Sequence, residues 1–180
     1  GNTGIGGSAL NNNLTGSYNS ATGVAALASN TTGDGNTANG SSALNSNISG
    51  YSNVAMGIYS LYSNTTRSNL VAIGDSSLYN NGISASLPYH ATWNTAVGSK
   101  SLFSNTTGAE NTALGYNSLY ANTSGEFNTA IGSRAMLQNT SGFDNVALGN
   151  EALLSNLSGH SNTAAGLQTL RNNSTGHSNT

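Results

Sequence analysis

Few residues in this chain carry groups that could perform acid–base or metal chemistry. Its four basic and six acidic residues are scattered, and the carboxylates between Asp34 and Glu151 form no close pair in the sequence. Hydrolysis of a glycosidic bond needs two neighbouring carboxylates. His160 and His177 occupy the same place in adjacent units but lack the third ligand that a zinc site requires. We therefore expect no catalytic residues, no bound metal and no other cofactor.

Charge and composition exclude further classes of function. The net charge is −2 and no basic cluster is present, so we expect no nucleic-acid partner. Cysteine is absent, which leaves neither disulfides nor thiolate ligands. No apolar run approaches the roughly 20 residues of a membrane helix, so we expect no membrane insertion of this segment.

Residues 82–93, GISASLPYHATW, contain the only proline and the only tryptophan of the chain, together with Tyr89 and His90. Loops that project from a rigid scaffold often bind ligands, and aromatic rings suit sugar faces or protein hot spots. Tyr89, His90 and Trp93 are the candidate ligand-binding residues. The alternative is a tolerated loop in which Trp93 covers an apolar end.

The elements that must position these residues are repeated units. They begin at Asn2 and return every 17 residues, except that the fifth unit, which begins at Leu70, has 24. The consensus is N-T-A-(apolar)-G-x-x-(A/S)-L-x-x-N-(T/L)-(T/S)-G-x-x, and its positions are numbered 1 to 17 below. A unit this short has to stack on its copies. We expect one continuous solenoid segment over residues 1–180 of a longer array, with an irregular coil and a 7-residue insertion at 70–93.

Two positions are the same in all ten units and indicate structural columns along the stack. Position 5 is glycine: Gly6, Gly23, Gly40, Gly57, Gly74, Gly98, Gly115, Gly132, Gly149 and Gly166. Position 12 is asparagine: Asn13, Asn30, Asn47, Asn64, Asn81, Asn105, Asn122, Asn139, Asn156 and Asn173. Asparagine tolerates left-handed backbone angles, and stacked amides can form a ladder along a fibre.

The glycine column at position 15 predicts a corner with positive φ. Arg67 breaks that column and Leu70 breaks the asparagine column at position 1, so we expect the least regular stacking there.

Nine of the ten position-12 asparagines lie in N-x-S/T sequons, the exception being Asn81. One interpretation is a sheath of N-glycans along the molecule. The other is a corner that requires asparagine followed by threonine or serine. We favour the corner, and an inward-pointing side chain could carry no glycan.

The local patterns within one unit conflict. Positions 1–5 alternate like a short strand, whereas positions 5, 8, 9 and 12 have helical spacing. Packed helices need about 8–10 Å between their axes, against about 4.8 Å for stacked strands. Either the second segment is a tight turn, or several chains interleave. The predicted fold is a mainly β repeat protein: a parallel β-solenoid or β-roll of ten 17-residue coils, each with one short strand and a turn-like or short helical segment.

Position 10 forms a row that changes from aromatic to aliphatic along the chain. Its members are Tyr62, Tyr79, Phe103, Tyr120, Leu137 and Leu154. The row could be a ligand-binding stripe, but such stripes are more often packing surfaces, which is the interpretation we favour.

The segments NTAVG, NTALG, NTAIG and NVALG resemble the N-S-V-A-I-G motif of the YadA-like head domain of trimeric autotransporter adhesins. The longer unit NTALGYNSLYANTSG resembles repeat arrays of bacterial surface and phage tail-fibre proteins that end in an endosialidase-type chaperone domain. The resemblance implies a homotrimeric stalk or adhesive head that is secreted or exposed on a bacterial or phage surface. The 17-residue unit is longer than the unit of the adhesin heads.

These observations predict a non-enzymatic structural or adhesive segment of an extracellular fibre. We expect a homo-oligomer, with a trimer favoured, and a surface or glycan as the possible target. Repetition would multiply weak contacts into avidity. The alternatives are an ice-binding solenoid, which would present a column of threonines, and a tail-spike-like fibre that processes glycans.

Overall fold

The computed structural model describes all 180 residues and contains ten strands and no helix. The strands are β1 Thr3–Ile5, β2 Ser20–Thr22, β3 Thr37–Asn39, β4 Val54–Met56, β5 Val71–Ile73, β6 Thr95–Val97, β7 Thr112–Leu114, β8 Thr129–Ile131, β9 Val146–Leu148 and β10 Thr163–Ala165. They form one sheet in chain order with every pairing parallel. The predicted β-solenoid is confirmed. Because each coil pairs with the next coil of the same chain, the interleaved alternative is wrong.

The register of the sheet continues unchanged past the insertion. In a regular step Ala113 pairs with Ala130, 17 residues later. Across the insertion Val71 pairs with Thr95, 24 residues later, in the same register. The extra residues therefore leave the stack as a loop, and the sheet shows no break where we expected the least regular stacking.

The core is one side-chain layer thick. Position-3 alanines from Ala21 onward point inward and are buried, together with the small residues at position 8 and the leucine or methionine at position 9 in the second to ninth coils. At Gly4, which replaces this alanine, an added Cβ would lie 3.4 Å from the carbonyl oxygen of Ala9 and 3.6 Å from Cδ1 of Leu10. The face is small because the far side of the same coil is in contact with it.

The second side of each coil is a tight turn in which positions 7 and 9 have left-handed backbone angles. Lys100 has φ 57° and Leu102 has φ 49°. The turns of successive coils are also joined by backbone hydrogen bonds along the axis. Leu102 N, for example, donates to Ser118 O of the next coil at 3.0 Å. Of 114 backbone hydrogen bonds, 96 are not between two strand residues, and those of them that join successive coils include turn residues. The coils are therefore joined outside the sheet as well as within it. The helix-like spacing arises because this turn brings positions 8, 9 and 12 to one interior side.

Two asparagine ladders run along one corner of the coil. At position 12, Asn122 Nδ2 donates to Asn105 Oδ1 at 3.0 Å and to Gly125 O at 3.0 Å. At position 1, Asn111 Nδ2 donates to Asn94 Oδ1 at 3.2 Å and to the same Gly125 carbonyl at 2.8 Å. Each position-15 carbonyl in the regular coils thus lies between the two ladders and accepts from both.

The glycine columns have different physical causes. The position-15 glycines have no positive φ, contrary to our prediction. A Cβ there would overlap the position-15 carbonyl of the next coil and the position-12 amide, as at Gly125 with Gly142 and Asn122, so the requirement is steric. The position-5 glycines do adopt positive φ, 136° at Gly115, and a Cβ there would lie 2.6 Å from the carbonyl oxygen of Gly132.

Candidate functional site

The insertion is held against the rod by Arg67, the residue that interrupts the position-15 glycine column. Its guanidinium donates from Nη1 to the carbonyl oxygens of Leu87, at 2.9 Å, and Pro88, at 3.4 Å. Nη2 donates to the carbonyl oxygen of Ala85. The two irregularities of the repeat, Arg67 and the insertion, are therefore coupled: an arginine from the fourth coil binds the loop of the fifth.

Glycine at the start of the insertion is required by this arrangement. Gly82 has φ +78°, and a Cβ on it would lie 3.0 Å from Cγ of Arg67. At the other end, the carbonyl of Ala91 accepts from Asn81 Nδ2 at 2.9 Å, as a position-15 glycine does in the regular coils. The residues on either side of the loop, Asn81 and Ala91, are thus joined by the same bond that joins positions 12 and 15 in the regular coils.

A cleft of about 340 Å³ lies between the insertion and the rod. Its aromatic and apolar lining is Tyr51, Pro88 and Trp93. Its polar lining is Thr66, Arg67, Ser68, Asn69 and Thr92. Tyr51 and Trp93 are half exposed, at 53% and 52%, so each ring offers surface to the solvent beside the cleft.

Of the three candidate binding residues, the structure places only Trp93 in the cleft lining. Tyr89 is exposed and packs edge-on against His90, with ring centroids 5.0 Å apart. His90 Nδ1 lies 3.5 Å from the backbone nitrogen of Leu87, inside the loop. Tyr51, which lies at position 16 two coils earlier, also lines the cleft and was not among the predicted binding residues. Its exposed position beside the irregular coil could have been found only by stacking the units.

The position-10 row forms a ladder of aromatic rings. Tyr62, Tyr79, Phe103 and Tyr120 stack in succession, with centroids 5.2–5.3 Å apart and interplanar angles of 9–15°. Because each ring covers the face of the next, no face in the middle of the row is free to stack on a sugar. The row therefore has the geometry of packing.

His160 and His177 also stack, with centroids 4.9 Å apart, and Phe143 stacks below His160 at 4.8 Å. These spacings match the repeat of a parallel sheet, about 4.8 Å. The molecule contains no group of three or more His, Cys, Asp or Glu residues that could hold a metal ion. No helical segment with the length and apolarity needed to cross a bilayer is present.

The position-12 asparagines lie inside the corner. Those from Asn30 to Asn156 have no exposed surface, and their Nδ2 atoms are hydrogen-bonded. Asn122, for example, is fully buried, and its sequon has no accessible nitrogen in the folded chain. This geometry agrees with a structural corner rather than with a sheath of N-glycans.

Folding places two acidic residues that are distant in the sequence on adjacent coils, Glu126 and Asp144. The backbone nitrogen of Asp144 donates to the carbonyl oxygen of Glu126 at 3.1 Å, so the two side chains leave the corner from adjacent coils. Neither residue lines a cavity: the second of the two concavities, about 380 Å³, lies at the last coil around Thr163 and Leu170. The pair has no substrate-sized cleft around it.

Glu151 is the most strongly bonded charged group. It accepts from Arg134 Nη1 at 2.6 Å, Arg171 Nε at 2.9 Å and Gln168 Nε2 at 3.0 Å. Its side chain is 11% exposed. The hydrogen bonds from Arg171 and Gln168, with the positive charges of Arg134 and Arg171, lower the pKa of the Glu151 carboxyl. This cluster joins three coils on the outside of the turn.

The outward face of the sheet carries an apolar column. Position 4 is large and exposed in six coils: Ile5, Met56, Ile73, Leu114, Ile131 and Leu148. Position 2 beside it is threonine, serine or valine, and neither column contains a charged residue in any coil. We call the side chains of positions 2 and 4 the outward face.

The chain matches no family model, no curated protein and no solved structure. The functional assignment therefore depends on the geometry of the molecule. It defines a rigid parallel β-solenoid with an uncharged sheet face and one cleft beside a loop.

Proposed function

We propose that this chain is a structural and adhesive segment of an extracellular fibre, in which copies assemble through the outward face. The observation that carries the proposal is that face, which has large exposed apolar residues at position 4 in six of the ten coils and no charged residue in any coil. Soluble monomers rarely expose contiguous apolar patches of this kind. A second copy of the same chain is the occupant we propose, with a homotrimer as the stoichiometry that the sequence resemblance implies.

The size of the outward face supports this assignment. Ten strands spaced about 4.8 Å apart give a length of about 48 Å, and two outward columns with their side chains give a width of about 12 Å. The face therefore covers on the order of 600 Å², so two copies would bury about 1,200 Å² in total, the lower limit for stable interfaces. Charges flank the face at positions 6 and 7, such as Asp75 and Lys100, as expected for a polar rim.

The axial bonding supports a mechanical role. Backbone bonds and two side-chain ladders connect each coil to the next, so bending or stretching the rod would strain many hydrogen bonds together. A rod of this kind transmits force and holds the insertion, residues 82–93, at a fixed place along its length. Extracellular exposure on a bacterium or phage follows as part of the proposal.

Replacing Ile131 by glutamate tests the assembly. The side chain is exposed in the single chain, so the fold should persist, while burial of a charge in the interface should separate the copies. Light scattering after size exclusion should give an oligomer mass for the native chain and a monomer mass for Ile131→Glu. Ser141→Glu is the matched control, since Ser141 is exposed in the same coil but lies away from the outward face. A native chain that remains monomeric at high micromolar concentration would contradict the proposal.

An ice-binding role is an alternative because position 2 presents a flat column rich in threonine. Val54, Val71 and Val146 interrupt that column, and bulky aliphatic side chains at position 4 lie beside it. Thermal hysteresis at micromolar protein would favour this role over assembly.

Glycan processing is the other alternative, since Glu126 and Asp144 are acidic residues that lie on adjacent coils and share a backbone hydrogen bond. Hydrolysis of an oligosaccharide that is lost in both Glu126→Gln and Asp144→Asn would favour it. The exposed corner without a cavity makes it the weaker candidate.

A further inference from the structure

We infer that the cleft between Tyr51 and Trp93 binds an oligosaccharide that carries a carboxylate. This inference deepens the adhesive part of the proposed function by naming a ligand class, and it does not depend on assembly. The cleft volume of about 340 Å³ falls within the range of small-molecule sites, roughly 300–1,000 Å³. That volume suits one or two sugar rings of a longer chain.

The two aromatic rings, Tyr51 and Trp93, provide apolar contact surface in the lining of the cleft. Tyr51 belongs to the third coil and Trp93 to the fifth, and both line the same cleft. Unlike the rings of the position-10 row, neither ring stacks on another aromatic side chain. Their faces therefore remain free for the apolar face of a sugar.

Arg67 determines the charge that the cleft prefers. Its three bonded donors all go to neutral carbonyl oxygens, those of Ala85, Leu87 and Pro88. A guanidinium has five N–H donors, so two remain. All ion pairs of the molecule involve Glu151, and no carboxylate pairs with Arg67. A half-buried cation without a counter-ion favours an anionic ligand.

Hydroxyl and amide groups complete a polar floor suited to sugar hydroxyls. Asn69 and Thr66 are exposed, and neither side chain makes a hydrogen bond within the protein. Thr92 Oγ1 donates to Tyr89 O at 2.6 Å, and Ser68 Oγ accepts from Tyr51 N at 3.0 Å. These two bonds hold the lining residues Thr92, Ser68 and Tyr51 in place without a ligand.

The only tryptophan of the chain lies in the cleft, so its fluorescence reports binding there. The probes are tetragalacturonate and tetramannuronate, each compared with its methyl ester, which keeps the ring and removes the charge. We expect a saturable change in Trp93 emission with the acids, and affinities at least about tenfold lower for the esters, which is the loss of one charged contact.

Substitutions taken from other coils test the lining without disturbing the fold. Tyr51→Ser copies Ser68 at the same position, and Trp93→Ser copies Ser161. Each should lower affinity at least about tenfold, with Trp93→Ser measured by calorimetry. Phe143→Ser and Phe127→Ser remove exposed rings at the same two positions but away from the cleft. These two controls should bind as the native chain does.

The outcomes separate this inference from the proposed function. Failure of both acids to bind, equal binding of the esters, or native affinity in Tyr51→Ser would each overturn the acidic-sugar site. Light scattering on the same samples reports assembly independently. A chain that assembles without binding overturns only the cleft, and one that binds as a monomer overturns only the assembly.

Discussion

Asn139 Nδ2 donates a hydrogen bond to Asn122 Oδ1 at 2.8 Å, although 17 residues separate the two in the chain. The same bond joins each successive pair of position-12 asparagines from Asn13 to Asn173. It is longest, 3.5 Å, between Asn64 and Asn81, where the insertion begins. The ladder is therefore a side-chain contact that recurs at every step of the stack.

Replacing Asn122 by alanine should lower the free energy of unfolding by about 2–4 kcal/mol. The substitution removes three buried hydrogen bonds, to Asn105, Gly125 and Asn139. Chemical denaturation measures the change. Asn150→Ala removes one exposed bond and should cost less than about 0.5 kcal/mol. Equal effects of the two substitutions would show that the ladder does not stabilise the fold.

Replacing Gly115 by alanine should destabilise the chain by roughly 3 kcal/mol or more. Its φ is 136°, and the new Cβ would lie 2.6 Å from backbone atoms of Gly132. Gly35→Ser is the control, since Gly35 has φ 63° with open space around it and the next coil carries Ser52 there. The control should change stability by less than about 1 kcal/mol. A midpoint shift in the control as large as in Gly115→Ala would point to backbone strain alone.

Acid should weaken the packing around Glu151. Its pKa is lowered in the folded chain by the hydrogen bonds from Arg171 and Gln168 and by the charge of Arg134. Its contribution to stability is therefore present above the unfolded-state pKa and is lost as pH falls through the folded-state pKa. The stability difference between the native chain and Glu151→Gln should shrink over that acidic interval in denaturation series. A difference that is constant with pH would exclude this linkage.

Replacing Arg67 by glycine should free the insertion and leave the rod intact. The change restores the position-15 consensus but removes the donors to Ala85, Leu87 and Pro88. Hydrogen exchange should rise in residues 82–93 while the unfolding midpoint changes little. Arg67→Lys should be intermediate because one ammonium cannot bond all three carbonyls. Unchanged hydrogen exchange of residues 82–93 in Arg67→Gly would show that the loop keeps its structure without the arginine.

Relieving left-handed strain should stabilise the chain. Lys100 is exposed with φ 57°, a conformation that asparagine tolerates better than lysine. Lys100→Asn should raise the free energy of unfolding by about 0.5–1 kcal/mol. Ser99→Asn, at a neighbouring residue without positive φ, should give no gain. Equal gains at both positions would mean that backbone conformation is not the cause.

Much of the fold was predictable because the repeat shows directly which residues meet. Residues that recur every 17 positions, such as Asn122 and Asn139, become neighbours in any regular stack. A short strand within positions 1–5, which the structure has at positions 2–4, and the parallel pairing followed from that period. The helical spacing was ambiguous because a tight turn with left-handed residues also places positions 8, 9 and 12 on one side.

The sequence by itself determined the coil, its ladder residues and the place of the insertion, because these depend on period and residue type. Only the tertiary structure decided why each glycine is needed, that Arg67 binds the insertion, and that Tyr51 shares a cleft with Trp93. It also placed Glu126 beside Asp144. These contacts depend on the direction in which each side chain leaves its coil, and turn backbone angles determine that direction. Neither Tyr51 nor Arg67 recurs in other units, so the repeat carried no signal for their partners.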